Sequence, residues 1–294
     1  MKWENLTSLE FDEAIEKSGG LCLLPIGCLE KHGNHISVGC DTLIANRIAN
    51  MAAELEYAVV FPNAFWLGDM IGTHALTPAE TSQKCKRGNI ALSPALLLNA
   101  MTEICNEIHR NGFRKILILN AHGGNVPFLN FFIRAQGYAK RDYATMWAWV
   151  NRPSDESKVV YEQVTARPED FPPLTQEELA TLKQFAETGY GGGHGDFQEV
   201  ALTMGQTPDY VRPELFQSLS GSSTHLTDHY KEMGITVPGA WSANYPNDFD
   251  GFYPLGCTEN IGKVHLQLCA EHLAGIIKML KEDEFCVKLA QRKN

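Results

Sequence analysis

The chain has 294 residues, enough for one large domain, and its 44% hydrophobic and 20% charged residues are ordinary for a globular protein. Its formal net charge of −10 argues against a nucleic-acid-binding surface, because phosphate backbones attract clusters of Lys and Arg. Its apolar runs are too short to cross a bilayer, and its first residues lack the pattern of a signal peptide. The sequence therefore predicts a cytoplasmic protein without nucleic-acid or membrane partners.

The eight cysteines form no CxxC pair and no tight framework. Several lie inside apolar runs, as is typical of reduced, buried thiols in a cytoplasmic protein. No cysteine is spaced in a way that indicates a structural zinc site.

The first half of the chain alternates short apolar runs with amphipathic stretches. The apolar runs, each short enough to be a buried strand, span residues 21–26, 58–61, 115–119 and 144–150. Between them, helices are predicted over residues 41–55, from Ser93-Pro94 to Asn111-Gly112, and over residues 126–138. This rhythm predicts an α/β fold with a parallel sheet and helices on both faces.

The second half of the chain is less regular. Prolines interrupt residues 151–190, which also include a polar helix over 176–187. We interpret this segment as an insertion, within a single domain of residues 1–294, that covers the substrate or contacts another subunit. A glycine run at 191–193 then leads into a short helix. Residues 216–258 are rich in loops, and a long amphipathic helix from residue 259 to about 281 closes the chain.

Carboxylate and imidazole side chains follow two of the predicted strands. Glu30 and His32 come after the first strand, Asp41 opens the following helix, and His122 comes soon after the third strand. Because parallel strands place their carboxyl ends at one edge of the sheet, these side chains are expected to converge there. In extended backbone, Glu30 and His32 lie on one side of the chain and His35 on the other.

Three candidate residues also have other interpretations. Asp41 could cap its helix, alone or while its second oxygen binds a metal. Glu199 lies three residues after Asp196, the spacing of a capping box in which Glu199 would bond to the backbone of residue 196. His194 follows the glycine run and could be a surface histidine, or it could transfer a proton beside a metal.

The types of candidate ligand indicate a reaction class. Mixed nitrogen and oxygen ligands suit Zn²⁺, Mn²⁺ or Fe²⁺. Two such ions that share a carboxylate lower the pKa of a bridging water and polarise a carbonyl oxygen. The residues therefore indicate hydrolysis of a C–N or C–O bond.

Three segments resemble motifs of the creatininase (creatinine amidohydrolase) family. They are LPIGCLEKHGNH from Leu24, NAHGGN from Asn120 and HGDFQE from His194, and the likeness extends from about residue 5 to residue 275. The resemblance implies a three-layer α/β/α sandwich with a mostly parallel sheet, a dinuclear metal centre, and a homo-oligomer that is commonly a hexamer.

The resemblance also assigns roles to individual residues of this chain. The implied metal ligands are Glu30 and His122 at one ion, His32 and Glu199 at the other, and Asp41 as the bridge between them. His194 would pass a proton to the leaving nitrogen. Zn²⁺ is the first choice for the two ions, with Mn²⁺ or Fe²⁺ as alternatives.

Residues beside the implied ligands depart from the family pattern. Creatininases carry Tyr-Glu where this chain has Gly123-Gly124, and Lys31, Asn34 and Ala121 replace the usual Gln, Pro and Gly. The His-Gly-Gly-Asn form resembles branches that deformylate a formylamino-pyrimidine nucleotide or trim the precursor of a redox cofactor.

Together these observations predict an enzyme that acts on a small-molecule substrate. The first hypothesis is a dinuclear metal-dependent amidohydrolase that cleaves an amide, cyclic amide or formamide C–N bond with a metal-bridging hydroxide. One alternative is a peptidase that trims a short cofactor-precursor peptide, and another is a metal-binding member of the fold without turnover. Contacts to the substrate are expected from residues 63–90, 151–193 and 216–258.

Overall fold

A computed structural model describes residues 1–62, 88–90, 92–190, 193–218, 221–245 and 254–292. Within these residues the centre of the molecule is a four-stranded sheet in the order β2-β1-β3-β4, with every neighbouring pair parallel. The strands are β1 Leu21–Ile26, β2 Val59–Val60, β3 Lys115–Asn120 and β4 Ala144–Trp149. All four lie on the predicted apolar runs, although β2 keeps only the central pair of its run.

Helices cover both faces of this sheet. The described α-helices are α1 Phe11–Lys17, α2 Cys40–Leu55, α3 Pro94–Arg110, α4 Asn125–Gln136, α5 Ser157–Ala166, α6 Gln176–Thr188, α7 Phe197–Gln206, α8 Asp228–Glu232, α9 Ala240–Asn244, α10 Glu259–Glu282 and α11 Phe285–Ala290. Among the described helices, none combines the length and the apolar character needed to span a bilayer. The sequence patterns did not predict α1 or α5, which are short and bury only one and two side chains.

Two apolar clusters lie on opposite faces of the sheet. Leu21, Leu23 and Leu117 belong to one cluster, with side chains of α2, α7 and α10. Cys22 and Ile116 belong to the other, with side chains of α3 and α4. Alternate strand residues thus point to opposite faces, and every residue of β1 and β3 is buried. The predicted α/β class, with a parallel sheet between two helical layers, is confirmed.

Residues 151–190 form α5 and α6 on one face of this sheet. Val160 and Val164 of α5 and Leu182 of α6 are buried in the same apolar cluster as α10. The α6 helix begins at a capping box in which Thr175 and Glu178 bond to each other's backbone amides. The interpretation of this segment as an insertion stays a prediction.

The end of β1 lies directly against the start of α2. A Cβ at Gly27 would lie 2.3 Å from the backbone nitrogen of Thr42 and 2.6 Å from the carbonyl carbon of Asp41. Only glycine fits such an approach, because each of these atoms belongs to backbone. The Asn125 side chain donates to the Gly27 carbonyl at 3.0 Å and ties the loop after β3 to the same point.

A second close approach holds α7 against α10. A Cβ at Gly262 of α10 would lie 2.1 Å from the carbonyl oxygen of Ala201 and 2.5 Å from the backbone nitrogen of Gly205, both on α7. The two helix backbones therefore pack without side chains between them at this crossing. This packing fixes the first turn of α7 near the carboxyl ends of β1 and β3.

Candidate metal centre

Side chains from four segments converge beyond the carboxyl ends of β1 and β3. Glu30 and His32 come from the segment after β1, Asp41 from the first turn of α2, His122 from the loop after β3, and Glu199 from the first turn of α7. Their exposed fractions are between 1% and 9%, so all five are buried. The structure brings together every side chain that the sequence predicts as a ligand.

Asp41 lies at the centre of this group. One carboxylate oxygen, Oδ2, is 3.0 Å from Nδ1 of His122, and the other, Oδ1, is 3.4 Å from Nε2 of His32. The interpretation of Asp41 as a helix cap is wrong, because Gly39 occupies the N-cap position and α2 already begins at Cys40. Asp41 lies inside the first turn, and its side chain points into the cluster.

The two glutamates lie on either side of the imidazoles. Oε2 of Glu30 is 3.3 Å from Nδ1 of His122 and 3.7 Å from Nε2 of His32. Oε2 of Glu199 is 3.6 Å from Nε2 of His32. Each imidazole therefore has a carboxylate other than Asp41 within 4 Å.

The start of α7 positions Glu199 by a different route from the predicted capping box. Asp196 is the N-cap, and its Oδ1 accepts from the backbone amides of Gln198 and Glu199. Oε2 of Glu199 accepts from the amide of Gly195 at 2.6 Å, one residue before the N-cap. The same oxygen also faces Nε2 of His32, so Glu199 both stabilises the loop before α7 and faces the cluster.

Backbone carbonyls orient two of the histidines. Nδ1 of His32 lies 3.0 Å from the carbonyl oxygen of Glu30, and Nε2 of His194 lies 3.0 Å from that of Lys31. In a neutral ring, the nitrogen beside a carbonyl carries the hydrogen, so the other nitrogen presents its lone pair. That nitrogen faces the carboxylates in both rings.

His194 lies at the edge of the cluster, buried rather than on the surface. Its ring stacks on His32 with a centroid separation of 4.3 Å, and Trp241 meets it edge-on at 4.9 Å. Burial lowers the pKa of His194 to about 3, so the ring is neutral at ordinary pH. Nε2 of His35 lies 2.8 Å from the carbonyl oxygen of Gly195, and His35 belongs to none of the potential ligand groups in the described part of the chain.

The electrostatics of the cluster favour a bound cation. Burial raises the pKa of Glu199 to about 8, because a carboxylate loses its hydration there. Burial would also raise the pKa of Asp41, but His32 and His122 hold it well below its usual range. Burial would lower the pKa of His32, yet Cys40, Asp41 and Glu199 raise it well above its ordinary value. Closely packed acidic groups without solvent are stabilised by positive charge.

Two cysteines also belong to the cluster, and the cysteine spacing did not indicate them. Sγ of Cys28 lies 3.2 Å from Oδ2 of Asp41, and Sγ of Cys40 lies 3.7 Å from Oδ1. Cys28 precedes Glu30 by two residues, so the alternation that puts Glu30 and His32 on one side of the chain also includes Cys28. That alternation is the signal that could have found it.

Potential ligand atoms form three groups whose members all lie within 4.8 Å of one another in the described part of the chain. These groups are Cys28, Glu30, Asp41 and His122; Glu30, His32 and His194; and His32, Cys40 and Asp41. Nitrogen, oxygen and sulfur donors at this spacing fit a divalent transition metal.

Part of the predicted substrate-contact surface lies outside the described residues. Residues 63–87, 191–192, 219–220 and 246–253 fall in this category. Within the described part of the chain, Trp241 of α9 contacts the ring of His194 and also lines a cavity of about 440 Å³ next to α8.

The fold and the site define a class: an α/β protein with a buried set of metal-ligand side chains at the carboxyl edge of a parallel sheet. The family model described as creatininase, creatinine amidohydrolase, matches residues 4–277. The chain therefore belongs to the creatininase family, and the resemblance seen in its motifs is confirmed.

Two curated relatives are hydrolases by name. Creatinine amidohydrolase of Pseudomonas putida is 28% identical over 129 residues, which cover 42% of this chain and 45% of that protein. The 3-dehydro-scyllo-inosose hydrolase of Thermotoga maritima is 24% identical over 121 residues, which cover 41% of this chain and 35% of that protein. The chain thus matches less than half the length of each relative.

Solved creatininases have the same fold. A crystal structure of creatinine amidohydrolase (creatininase) superposes with a TM-score of 0.66 at 18% identity, covering 96% of this chain and 98% of that one. Other creatininase structures are named as a manganese form and as a mutant of the Zn-Zn type.

Proposed function

We propose that the protein is a dinuclear metal-dependent amidohydrolase that cleaves an amide, cyclic amide or formamide C–N bond of a small metabolite. The observation that carries this proposal is the position of Asp41, whose two oxygens face different imidazoles at 3.0 and 3.4 Å. A carboxylate in this position can bind two ions at once. Membership of a family of hydrolases supports the same reaction class.

The donor set divides naturally between two ions. In the proposal, Glu30 and His122 would hold one ion, His32 and Glu199 would hold the other, and Asp41 would bridge them. Divalent ions at these positions supply an activated water and an electrophile for the substrate carbonyl. Zn²⁺ is our first choice, and Mn²⁺ or Fe²⁺ would suit the nitrogen and oxygen donors as well.

His194 would move the proton that the leaving nitrogen needs. Its Nε2 hydrogen is directed at the carbonyl of Lys31, and its Nδ1 lies 3.9 Å from Oε2 of Glu30. A neutral ring can take a proton at Nδ1 from the attacking water and give it to the departing nitrogen. Trp241 against the ring edge would hold this orientation.

Metal analysis of two variants tests the centre itself. Wild-type protein should retain about two equivalents of metal per chain after reconstitution, as expected of a two-metal hydrolase. Asp41→Asn should retain neither ion firmly and should lose hydrolysis. Asp209→Asn changes an exposed aspartate in the same way and should match wild type. Retention of both metals and full activity by Asp41→Asn would overturn the proposal.

A screen of substrates tests the reaction class. Protein reconstituted with Zn²⁺, Mn²⁺ or Fe²⁺ should hydrolyse at least one compound in a panel of cyclic amides, formamides and linear amides of small metabolites. His194→Gln should keep both metals while its turnover falls by about 10²-fold or more, because general acid–base catalysis typically contributes 10²–10⁴-fold. Cleavage confined to short peptides would support the peptidase alternative. Homo-oligomeric assembly and a cytoplasmic location stay predictions.

A further inference from the structure

We infer that Cys28 is a thiolate ligand of one of the two ions and that it closes a four-donor set with Glu30, Asp41 and His122. The inference rests on the proposed metal centre and deepens it. It makes the two ions unequal, because one has a closed shell of protein donors and the other keeps a position for water or substrate.

The spacing of the four donors carries the assignment. In a tetrahedral zinc site, bonds of about 2.3 Å to sulfur and 2.0–2.2 Å to nitrogen and oxygen put neighbouring donors roughly 3.3–3.6 Å apart. Sγ of Cys28 lies 3.2 Å from Oδ2 of Asp41 and 3.9 Å from Oε2 of Glu30. Nδ1 of His122 lies 3.0 Å and 3.3 Å from the same two oxygens. These four distances, from 3.0 to 3.9 Å, lie on both sides of the separation expected between neighbouring donors in a tetrahedral site.

The local backbone holds the Cys28 thiol in this position. Thr42 of α2 donates its hydroxyl to the Cys28 carbonyl at 3.1 Å, and the close approach at Gly27 fixes the preceding residue. The Cys28 side chain is buried but belongs to neither apolar cluster. Cys22, on the preceding strand β1, is packed among apolar side chains as a core cysteine usually is. Cys28 faces carboxylates instead.

The other side of Asp41 has a different donor count. His32 and Glu199 join Oδ1 of Asp41 there, and the Cys40 thiol also lies near that oxygen, at 3.7 Å. Cys28 comes closer to its own oxygen of Asp41, at 3.2 Å, and Cys40 belongs to an apolar cluster, so we assign the thiolate to Cys28 and leave three protein donors at the other ion. Three protein donors leave a fourth position open, as in catalytic zinc sites, whereas four close the shell, as in structural sites. The open position therefore belongs to the ion at His32, the ring on which His194 stacks.

Binding at Cys28 is a simple exchange. The metal replaces the hydrogen of the thiol, the sulfur keeps the electron pair of the broken S–H bond, and the proton leaves to solvent without any oxidation or reduction. A sulfur donor also changes selectivity, because thiolate favours Zn²⁺ and other softer ions over Mn²⁺.

Cobalt substitution tests the assignment on the full chain. Metal-free protein reloaded with two equivalents of Co²⁺ should show the near-ultraviolet charge-transfer absorption of a thiolate bound to cobalt. Cys28→Ser should still bind cobalt but lose this band. Cys40→Ser and the core variant Cys105→Ser should keep it. Cobalt bound without the band, or a band that survives in Cys28→Ser, would overturn the assignment. A wild-type chain that retains no cobalt would instead refute the proposed metal centre.

X-ray absorption at the zinc edge gives a result that does not depend on any variant folding. Unaltered protein loaded with two Zn²⁺ should show sulfur at about 2.3 Å, at an average of about half a sulfur per zinc ion because only one of the two ions binds Cys28. A shell of nitrogen and oxygen alone would contradict the assignment. In competition experiments, Cys28→Ser should lower the preference for Zn²⁺ over Mn²⁺ by about tenfold or more. An unchanged preference would count against a sulfur ligand.

Discussion

Replacing Gly262 with alanine should force α10 away from α7, because the crossing has no space for a methyl group. The new Cβ would lie 2.1 Å from the carbonyl oxygen of Ala201, about 1.3 Å inside the 3.4 Å at which ordinary contact begins. Overpacking a core usually costs about 1–3 kcal/mol. Here the obstructing atoms are backbone, which cannot rotate away, so we expect a cost of about 3 kcal/mol.

Gly275→Ala is the matched control, since it lies on the same helix. A Cβ at Gly275 would meet nothing within 4 Å. Alanine in a helix interior is more favourable than glycine, so Gly275→Ala should raise the free energy of unfolding by about 0.4–1 kcal/mol. Urea unfolding of the metal-free proteins, followed by far-ultraviolet circular dichroism, measures both changes.

Gly262→Ala should also weaken metal binding at the candidate site. Because α7 carries Glu199 in its first turn, movement of α7 would lengthen the 3.6 Å distance between Glu199 and His32. Gly262→Ala should therefore bind the second metal equivalent more weakly than Gly275→Ala does. Equal unfolding free energies for wild type and Gly262→Ala, or changes of the same sign in the two variants, would refute the packing argument.

Three further predictions concern the site and the stability of the fold. Gly27→Ala should lose both metals, because its Cβ would lie 2.3 Å from a backbone nitrogen at the start of α2. Gly123→Ala is the control: its Cβ would meet nothing within 4 Å, so the same metal analysis should find both metals retained. Two retained equivalents in Gly27→Ala would contradict this. Burial lowers the pKa of His265 from 6.5 to about 3, so the unfolded chain binds a proton that the folded chain does not. The free energy of unfolding should therefore fall by about 1.6 kcal/mol because of this residue as pH falls from 6.5 to 5. His265→Gln should remove that part of the pH dependence in urea unfolding, and an identical pH dependence in the two proteins would disprove it. The buried ammonium of Lys115 donates to two carbonyls at the end of α10, at 2.9 and 3.0 Å. Lys115→Met should therefore lower the free energy of unfolding by about 1–3 kcal/mol and speed amide hydrogen exchange in the last turn of α10. Unchanged exchange in that turn would count against the contact.

The central strands could be predicted because their burial leaves a simple pattern. Both β1 and β3 are buried on two faces, so each contains a run of at least four apolar residues, which in β3 lies between Lys115 and Asn120. The edge strand β2 is shorter than predicted, because its run of four apolar residues says nothing about how many of them find a hydrogen-bonding partner. The α5 helix escaped prediction since only Val160 and Val164 are buried along it.

The convergence of Glu30, His32 and His122 could also be predicted, because it follows from where parallel strands end. Asp41 is expected to converge there for the same reason, but a cap at the start of the predicted helix is a competing interpretation of this residue. An aspartate at the apparent start of a helix is most often a cap. The structure instead has Gly39 as the N-cap of α2, two residues before the position that the sequence indicates. A shift of two residues turned a predicted cap into a residue of the first turn, whose side chain is free to face the imidazoles.

The two thiols near Asp41, those of Cys28 and Cys40, differ in how far the sequence indicates their positions. The position of the Cys28 side chain follows from the same alternation as that of Glu30 and His32, since residues two apart in extended backbone lie on the same side of the chain. The spacing of Cys28 from the other cysteines does not indicate this position, because its neighbours in the cluster are carboxylates and an imidazole. Cys40 is different: it lies next to Asp41 on a helix, where neighbouring side chains diverge by about 100°. Cys40 and Asp41 both belong to α2, so the 3.7 Å contact between Sγ and Oδ1 depends on the side-chain conformations of the two residues, which residue spacing along the helix does not specify.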